Sequence, residues 1–278
     1  MKLKKRIEKG ILIVCMSFVS FTMLFPFIWM ISTSMKEKKD ALEVPIRLIP
    51  SPFNFEAYQE VWEIIPLLNS AWNTMKIIIP VLTFGIFFSA LAAFAFAKMD
   101  IPGKNIIFIA LLSTMMIPPI VNLIPQYVFW GSFGLSDSLI PLIAPGIFGG
   151  VGIMFFLRQY LAGVPGEYIE AARIDGAGWM QIFLRIFVPL MKPALATQII
   201  INFMGCWNDF LGPLIYLDSE KNYTVQLAIR LLDTTGRQTM EYPLVMAGST
   251  LACLPLLLIY IFFQRYFVNS MVASGVKG

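Results

Sequence analysis

The residues able to do chemistry in this 278-residue chain are few. There is no histidine, which removes the commonest general base and metal ligand. Cys15, Cys206 and Cys253 lie far apart in apolar surroundings, without metal-ligand spacing, and are expected to be small buried hydrophobes. Polar side chains set inside apolar runs are the next candidates: Asn122, Gln126, Asn202, Asn208 and Asp209, with Trp207 beside them. Amides and an indole face suit a neutral, hydroxyl-rich ligand better than fixed charges would. Interhelical hydrogen bonding is the competing use of each. The richest stretch is 165–193, PGEYIEAARIDGAGWMQIFLRIFVPLMKP. Glu170-Ala171-Ala172 is followed there by Asp175-Gly176-Ala177 and then by a second apolar-faced run. A loop that only turned the chain would not need two helical pieces around a glycine hinge. The stretch is expected to present a helix to a partner.

The elements that must position these residues follow from composition. The chain is 58% apolar and 14% charged, against roughly 25% charged in ordinary soluble domains. Lipid is the solvent such a chain requires. Uncharged runs predict spans at about 11–34, 75–97, 106–129, 139–160, 194–217 and 243–264, near the ~20 helical residues that cross a hydrocarbon core. The expected fold is an all-α membrane protein with six transmembrane helices in a single domain over 1–278, and a loop at 162–193. A signal peptide is the alternative for the first run. Its apolar core would be about 7–15 residues ending in small side chains, whereas this run is longer and reaches Trp29-Met30-Ile31. Pro118-Pro119 and Pro125 break the third run, and Pro145 and Gly149-Gly150 interrupt the fourth. Residues 54–64 read as a short interfacial helix with Phe55, Tyr58 and Trp62 on one face.

Six spans put both termini on one side. The termini, the 98–105 turn and the 158–192 loop carry 13 Lys/Arg and 5 Asp/Glu, and the alternate loops carry 8 and 12. A Lys/Arg excess marks the cytoplasmic side, so the 162–193 loop is expected there. Topology explains the basic residues, and nucleic acid is not an expected partner. A DNA-reading helix–turn–helix is not sufficiently basic here and would be pinned between two spans.

Within the loop, Pro165 suits the first turn of a helix, and Glu167 and Glu170 lie near its positive end. A helix over 165–175 would span roughly 16 Å. Glu170 and Arg173 stand three apart and can pair. Ala171 and Ala172 are expected to leave a bare surface for close approach, and Gly176 allows a left-handed turn. Trp179, Ile182, Phe183, Ile186 and Phe187 share one helical face. That face either lies in the membrane interface or packs on the chain's own spans.

The pattern Glu170-Ala171-Ala172-x3-Gly176-x9-Ile186-x-Val188-Pro189 resembles the EAA loop of bacterial ABC-importer permeases, with Val188 where leucine is usual. The longer Glu-Ala-Ala-x-x-Asp-Gly-Ala form resembles the carbohydrate-uptake branch, including the smaller membrane subunit of maltose-type transporters. Trp207-Asn208-Asp209-Phe210-Leu211-x-Pro213-Leu214 resembles that branch's fifth span. Phe263-Gln264-Arg265-Tyr266-Phe267-Val268 and Val276-Lys277-Gly278 resemble its C-terminus, with Ser270 and Ser274 where glycines are usual. The resemblance covers essentially the whole chain and implies a type I ABC-importer permease fold. It implies that Glu170, Ala171, Ala172, Asp175, Gly176 and Ala177 couple to a separate ATPase dimer. ATP and Mg would be bound there and no cofactor by this chain, which lacks G-x-x-x-x-G-K-[ST]. It further implies a second permease subunit, expected to be a different chain. An extracytoplasmic solute-binding protein would face 36–68 and 218–242, and the location would be a bacterial inner membrane. The implied substrate is a sugar or oligosaccharide. A polyol phosphate, polyamine or amino acid is the alternative within the class. A secondary transporter would have only Asp209 as an intramembrane coupling site and would leave the loop unexplained. A membrane enzyme would need a histidine, metal cluster or paired acids that the spans lack.

Overall fold

In a bilayer every backbone polar group must be satisfied within the chain, which confines the spans to helices. The structure, a computed structural model, describes residues 2–45, 47–234 and 241–275, and no strand occurs among them. Residues 235–240 of the 218–242 loop, and Val276-Lys277-Gly278, lie outside the described residues. In chain order the helices are α1 (Lys2–Ser34), α2 (Glu56–Ile64), α3 (Leu67–Lys98), α4 (Lys104–Thr114) and α5 (Leu123–Ser132). They continue as α6 (Ile140–Ile147), α7 (Val151–Ala162), α8 (Glu167–Ile174) and α9 (Trp179–Leu190). The last four are α10 (Lys192–Trp207), α11 (Leu211–Tyr216), α12 (Val225–Thr234) and α13 (Tyr242–Gly275).

Four helical stretches are long and apolar enough to cross a membrane: Arg6–Ser34, Leu67–Lys98, Ile140–Ala162 and Tyr242–Gln264. Two bent helix pairs are long and apolar enough as well if each is counted as one span. Lys104–Thr114 and Pro119–Ser132 meet at 81°, and Trp179–Leu190 and Lys192–Trp207 at 76°. The first bend sits at Pro118-Pro119, where proline removes a backbone donor. The fifth run is not one helix to 217. It stops at Trp207 and resumes at Leu211, because the Asp209 carboxylate accepts the Gly212 N–H (3.2 Å) and starts a new turn.

The chain divides into two compact units. One comprises Met1–Leu67 and Ala228–Leu254, the other Leu68–Leu227 and Pro255–Gly278. In the first unit the apolar window of α1 has no buried residue, and Cys15 is exposed on it rather than buried as expected. Cys206 and Cys253 are half-buried and free. Behind α1, Lys38 bridges Glu60 (3.3 Å) and Glu241 (3.0 Å). The Ser34 and Tyr58 hydroxyls meet at 2.7 Å and seat α2 by its Ala57/Val61 face.

In the second unit α3 carries a π-helical turn at Val81–Gly85. There the fourth span crosses it closely: a Cβ on Gly85 would stand 2.4 Å from the Gly146 carbonyl oxygen. The fourth span opens at 148–150, where Gly149 has φ +96 and the Ser89 hydroxyl accepts the Gly150 N–H (3.0 Å). Pro145 is accommodated inside α6. The core of this unit gathers Phe94, Leu157, Leu161, Ile182, Phe183, Phe187 and Met191. Phe94 is its centre, with ring centroids 4.9 Å from Phe187 and 5.5 Å from Phe183.

Candidate functional site

Residues 165–191 form one element built on that core. α8 is short because Gly176 ends it. The Gly176 N–H bonds the Arg173 carbonyl (3.0 Å) and the Ala177 N–H bonds the Ala172 carbonyl (2.9 Å). With Gly176 at φ +80, this is a Schellman stop, which needs a residue free to adopt left-handed backbone. The spacing of Ala172, Gly176 and Ala177 is thus the spacing of a helix terminus and its apolar clasp. Ala172 is 7% exposed and packs on the core, with Ala177 against it. This corrects the expectation of a bare surface at both alanines. Ala171 is exposed, whereas Ala172 is a seat that lets α8 lie close to the spans.

Glu170 and Arg173 do not form the expected pair. The Arg173 guanidinium instead lies over the Trp179 ring, 4.4 Å from its centroid, and Trp179 meets Phe94 edge-on at 6.2 Å. Arg173 therefore ties α8 to α9 and through it to α3. Gln181 accepts the Gly178 N–H (3.1 Å) at the start of α9. The centre of the apolar face of α9 is internal, with Ile182, Phe183 and Phe187 at 0% exposure, and Trp179 and Ile186 at its margins are half-buried. Lys98 donates to the Val164 carbonyl (2.6 Å) and Tyr160 to that of Leu190 (3.2 Å), fastening both ends of the element.

A groove of ≈ 500 Å³ opens along α8, lined by Pro165, Glu167, Tyr168, Ala171, Asp175 and Ile186, with Ala172 at its floor. Glu170 and Gly176 are exposed beside it. Ile174 is 87% exposed and Tyr168 47%, two large apolar groups on an otherwise charged helix. Neither stood out from the sequence, where only the position of Ile174, on the side of the helix opposite Ala172, could have flagged one of them.

The intramembrane polar residues fall in separate places. Asn122 and Gln126 are exposed, on the turn before α5 and on α5. Tyr127, next to Gln126, meets Tyr216 of α11 with centroids 6.2 Å apart. Asn202 donates to the backbone (2.8 Å) and side-chain (3.2 Å) oxygens of Gln198, a buried amide the sequence reading missed. Asn208 accepts from Gln226 (3.3 Å), also missed because it lies in α12, beyond α11. Asp209 caps α11. Trp207 is 2% exposed and stacks on Phe203 (5.7 Å, 11° between planes), so its face is a packing surface and not an open platform. Among the described residues no His/Cys/Asp/Glu cluster could hold a metal ion.

Residues 85–272, from the π-turn of α3 through the 165–191 element to α13, match the family described as the binding-protein-dependent transport system inner membrane component. The chain belongs to that family. It is 34% identical over 265 residues to the arabinooligosaccharides transport system permease protein AraQ of Bacillus subtilis (strain 168), covering 94% of this chain and 92% of that protein. It is 30% identical to the lactose transport system permease protein LacG of Rhizobium radiobacter, covering 98% of each. Its fold matches that of a chain in a bacterial ABC transporter involved in the import of the acidic polysaccharide alginate. That match has a TM-score of 0.82 at 22% identity and covers 95% of this chain and 98% of that one. A second structure of the alginate ABC transporter, in complex with alginate pentasaccharide-bound periplasmic protein, matches with TM-score 0.66 at 17% identity. The protein is thus a multi-pass inner-membrane ABC permease with the type I importer fold, a transport component.

Proposed function

We propose that this permease forms the translocation path for a sugar or oligosaccharide, driven by a separate ATPase dimer that docks on α8. The observation that carries the sugar reading is that relatives at 30% identity or above over more than nine-tenths of the chain, AraQ and LacG among them, are permeases named for saccharides. Hydrogen-bonding amides at Asn202/Gln198 and Asn208/Gln226 agree with a neutral hydroxylated solute. Glu170, Ala171, Asp175 and Gly176, with Tyr168 and Ile174, offer the ATPase an exposed face. Ala172 and Ala177 hold that face at its correct height. ATP and Mg are bound by the ATPase. Closure of its two subunits carries the 165–191 element inward, and the core around Phe94 passes the displacement to the spans.

In this reading the termini and the 165–191 element are cytoplasmic. A second permease, a different chain, completes the path, and a solute-binding protein docks against 36–68 and 218–242. The test is uptake into proteoliposomes holding the full complex with its binding protein. ATP-dependent, vanadate-sensitive uptake of a neutral oligosaccharide is expected, with none of polyol phosphate, polyamine or amino acid. Uptake that survives vanadate and stops with a protonophore would overturn the ATP-driven mechanism.

A further inference from the structure

Every polar atom of Asp137, in the turn before the fourth span, is committed to one distant segment. Its N–H donates to the Tyr216 carbonyl (2.9 Å), and its own carbonyl accepts the Asn222 amide (2.7 Å). One carboxylate oxygen accepts the N–H groups of Asp218 (3.0 Å) and Ser219 (2.9 Å), and the other accepts the Ser219 hydroxyl. Asp137 is also the one described non-glycine residue with positive φ, at 54°. A left-handed residue other than glycine persists where its surroundings over-determine it, and such outliers gather where position matters. The same segment is held by Asn69 and Asn73, which both donate to the Lys221 carbonyl (2.7 Å), and by Thr74, which accepts the Val225 N–H (3.1 Å). The Ser219 hydroxyl and amide, with Asn222 and the Asp218 amide, hold the Asp137 carboxyl well below the usual carboxylate range. The carboxylate therefore keeps its acceptor bonds at any ordinary pH.

The place of this clasp gives it a role. The fourth span runs from Asp137 to the 165–191 element, and the fifth runs from that element to Tyr216. At the element the two spans share the core of Leu157, Leu161, Phe187 and Met191 and the Tyr160–Leu190 bond. At the far end α11 lies against α6, where a Cβ on Gly212 would stand 2.9 Å from Leu142. Packing alone resists separation there but not sliding along the helix axes. Directional bonds from one residue to four others resist both.

We propose that Asp137 is a positioning residue of the transport cycle: it locks the fourth and fifth spans together at the end remote from the ATPase-docking element, so that the pair moves as one lever. Displacement of α8 and α9 then reaches the opposite face and is not lost as slip between the two spans. This rests on the ATP-driven reading above.

Three variants test it in the full complex in proteoliposomes, with solute moved per ATP hydrolysed as the readout. Asp137→Ala and Asp137→Gly are expected to lower that ratio at least fivefold. Asp137→Asn is expected to stay within twofold, since its carbonyl oxygen still accepts both amide protons and its NH2 can donate to Ser219. Glycine is the decisive case, because it suits φ 54° better than aspartate and keeps the two backbone bonds while removing the three that the carboxylate accepts. A merely structural role would lower uptake and ATP hydrolysis together and leave the ratio unmoved. Hydrogen exchange of the 216–225 amides supplies a readout independent of any solute. Protection at 218 and 219 is expected in the parent and Asn proteins, with and without vanadate-trapped nucleotide, and at least tenfold faster exchange in the Gly and Ala proteins. A Gly variant that couples like the parent, or parent amides that lose protection in the trapped state, would overturn the lever. If the parent complex moves no sugar, the proposed substrate fails, and the exchange comparison still decides the clasp.

Discussion

Around the 165–191 element the holding contacts are mostly rings and methyl groups, with one hydrogen bond at each end: Phe94 lies against Trp179, Phe183 and Phe187, and Ala172 rests on the same core. Around the 216–225 segment they are hydrogen bonds from Asp137, Asn69, Asn73 and Thr74. The same pair of spans joins these two regions. Packing is non-directional and tolerates a few degrees of rotation, which suits the end that receives a push. Hydrogen bonds lose strength steeply with misalignment, which suits the end that must keep its register. The difference between the regions is therefore one of mechanical duty as well as composition.

The sharpest way to break the comparison is to empty the packed end. Phe94→Ala removes the ring on which three others rest and is expected to cost about 3–5 kcal/mol, read as loss of folded protein in a thermal scan in detergent. The two alanines come next. Ala172→Leu overfills the seat and is expected to cost ~1–3 kcal/mol. Ala171→Leu, on the exposed side, should move stability by less than about 0.5 kcal/mol yet reduce co-purification of the ATPase. Equal effects from the two would mean that α8 does not sit as described.

Gly176→Arg follows. A Cβ there meets nothing within 4 Å, so its cost is the left-handed backbone, roughly 1–2 kcal/mol. The protein should insert normally, while ATP hydrolysis proceeds without uptake; normal uptake would remove the docking role. At the hydrogen-bonded end Ser219→Ala takes one bond from Asp137 and should cost about 1 kcal/mol, seen as faster exchange confined to 216–222. The smallest effect concerns pH. The Asp137 carboxyl is held below its ordinary 3.8 by Ser219, so its contribution to stability is present above that value and is lost only as pH falls through the lower folded value. Moving from pH 7 to 5 should leave the 216–222 amides unchanged once intrinsic exchange rates are corrected. A loss of protection in that window would mean the carboxylate is not the acceptor.

Much of this was legible from particular residues. Pro118-Pro119 announced the bend of the third span, and Gly176 announced the left-handed stop, because proline and glycine act on their own backbone. The apolar face of α9 was legible from the spacing of Trp179, Ile182, Phe183 and Phe187, although not which surface it would meet. Ala172 was misread for a physical reason: a small side chain is equally suited to exposure and to close packing. Arg173 had both a carboxylate and an indole within reach, and only the path of the chain past Gly178 put the indole over it. Asp137 carried no signal, since its partners lie some eighty positions away.

What the sequence determined by itself was solvent, secondary structure and family, because hydropathy, proline, glycine and local motifs act over a few residues. The tertiary structure alone decided which alanine is surface and which is seat, that Trp207 faces Phe203, and that one aspartate ties two spans together. Those outcomes depend on which side chains converge in space, and local spacing carries no term for that.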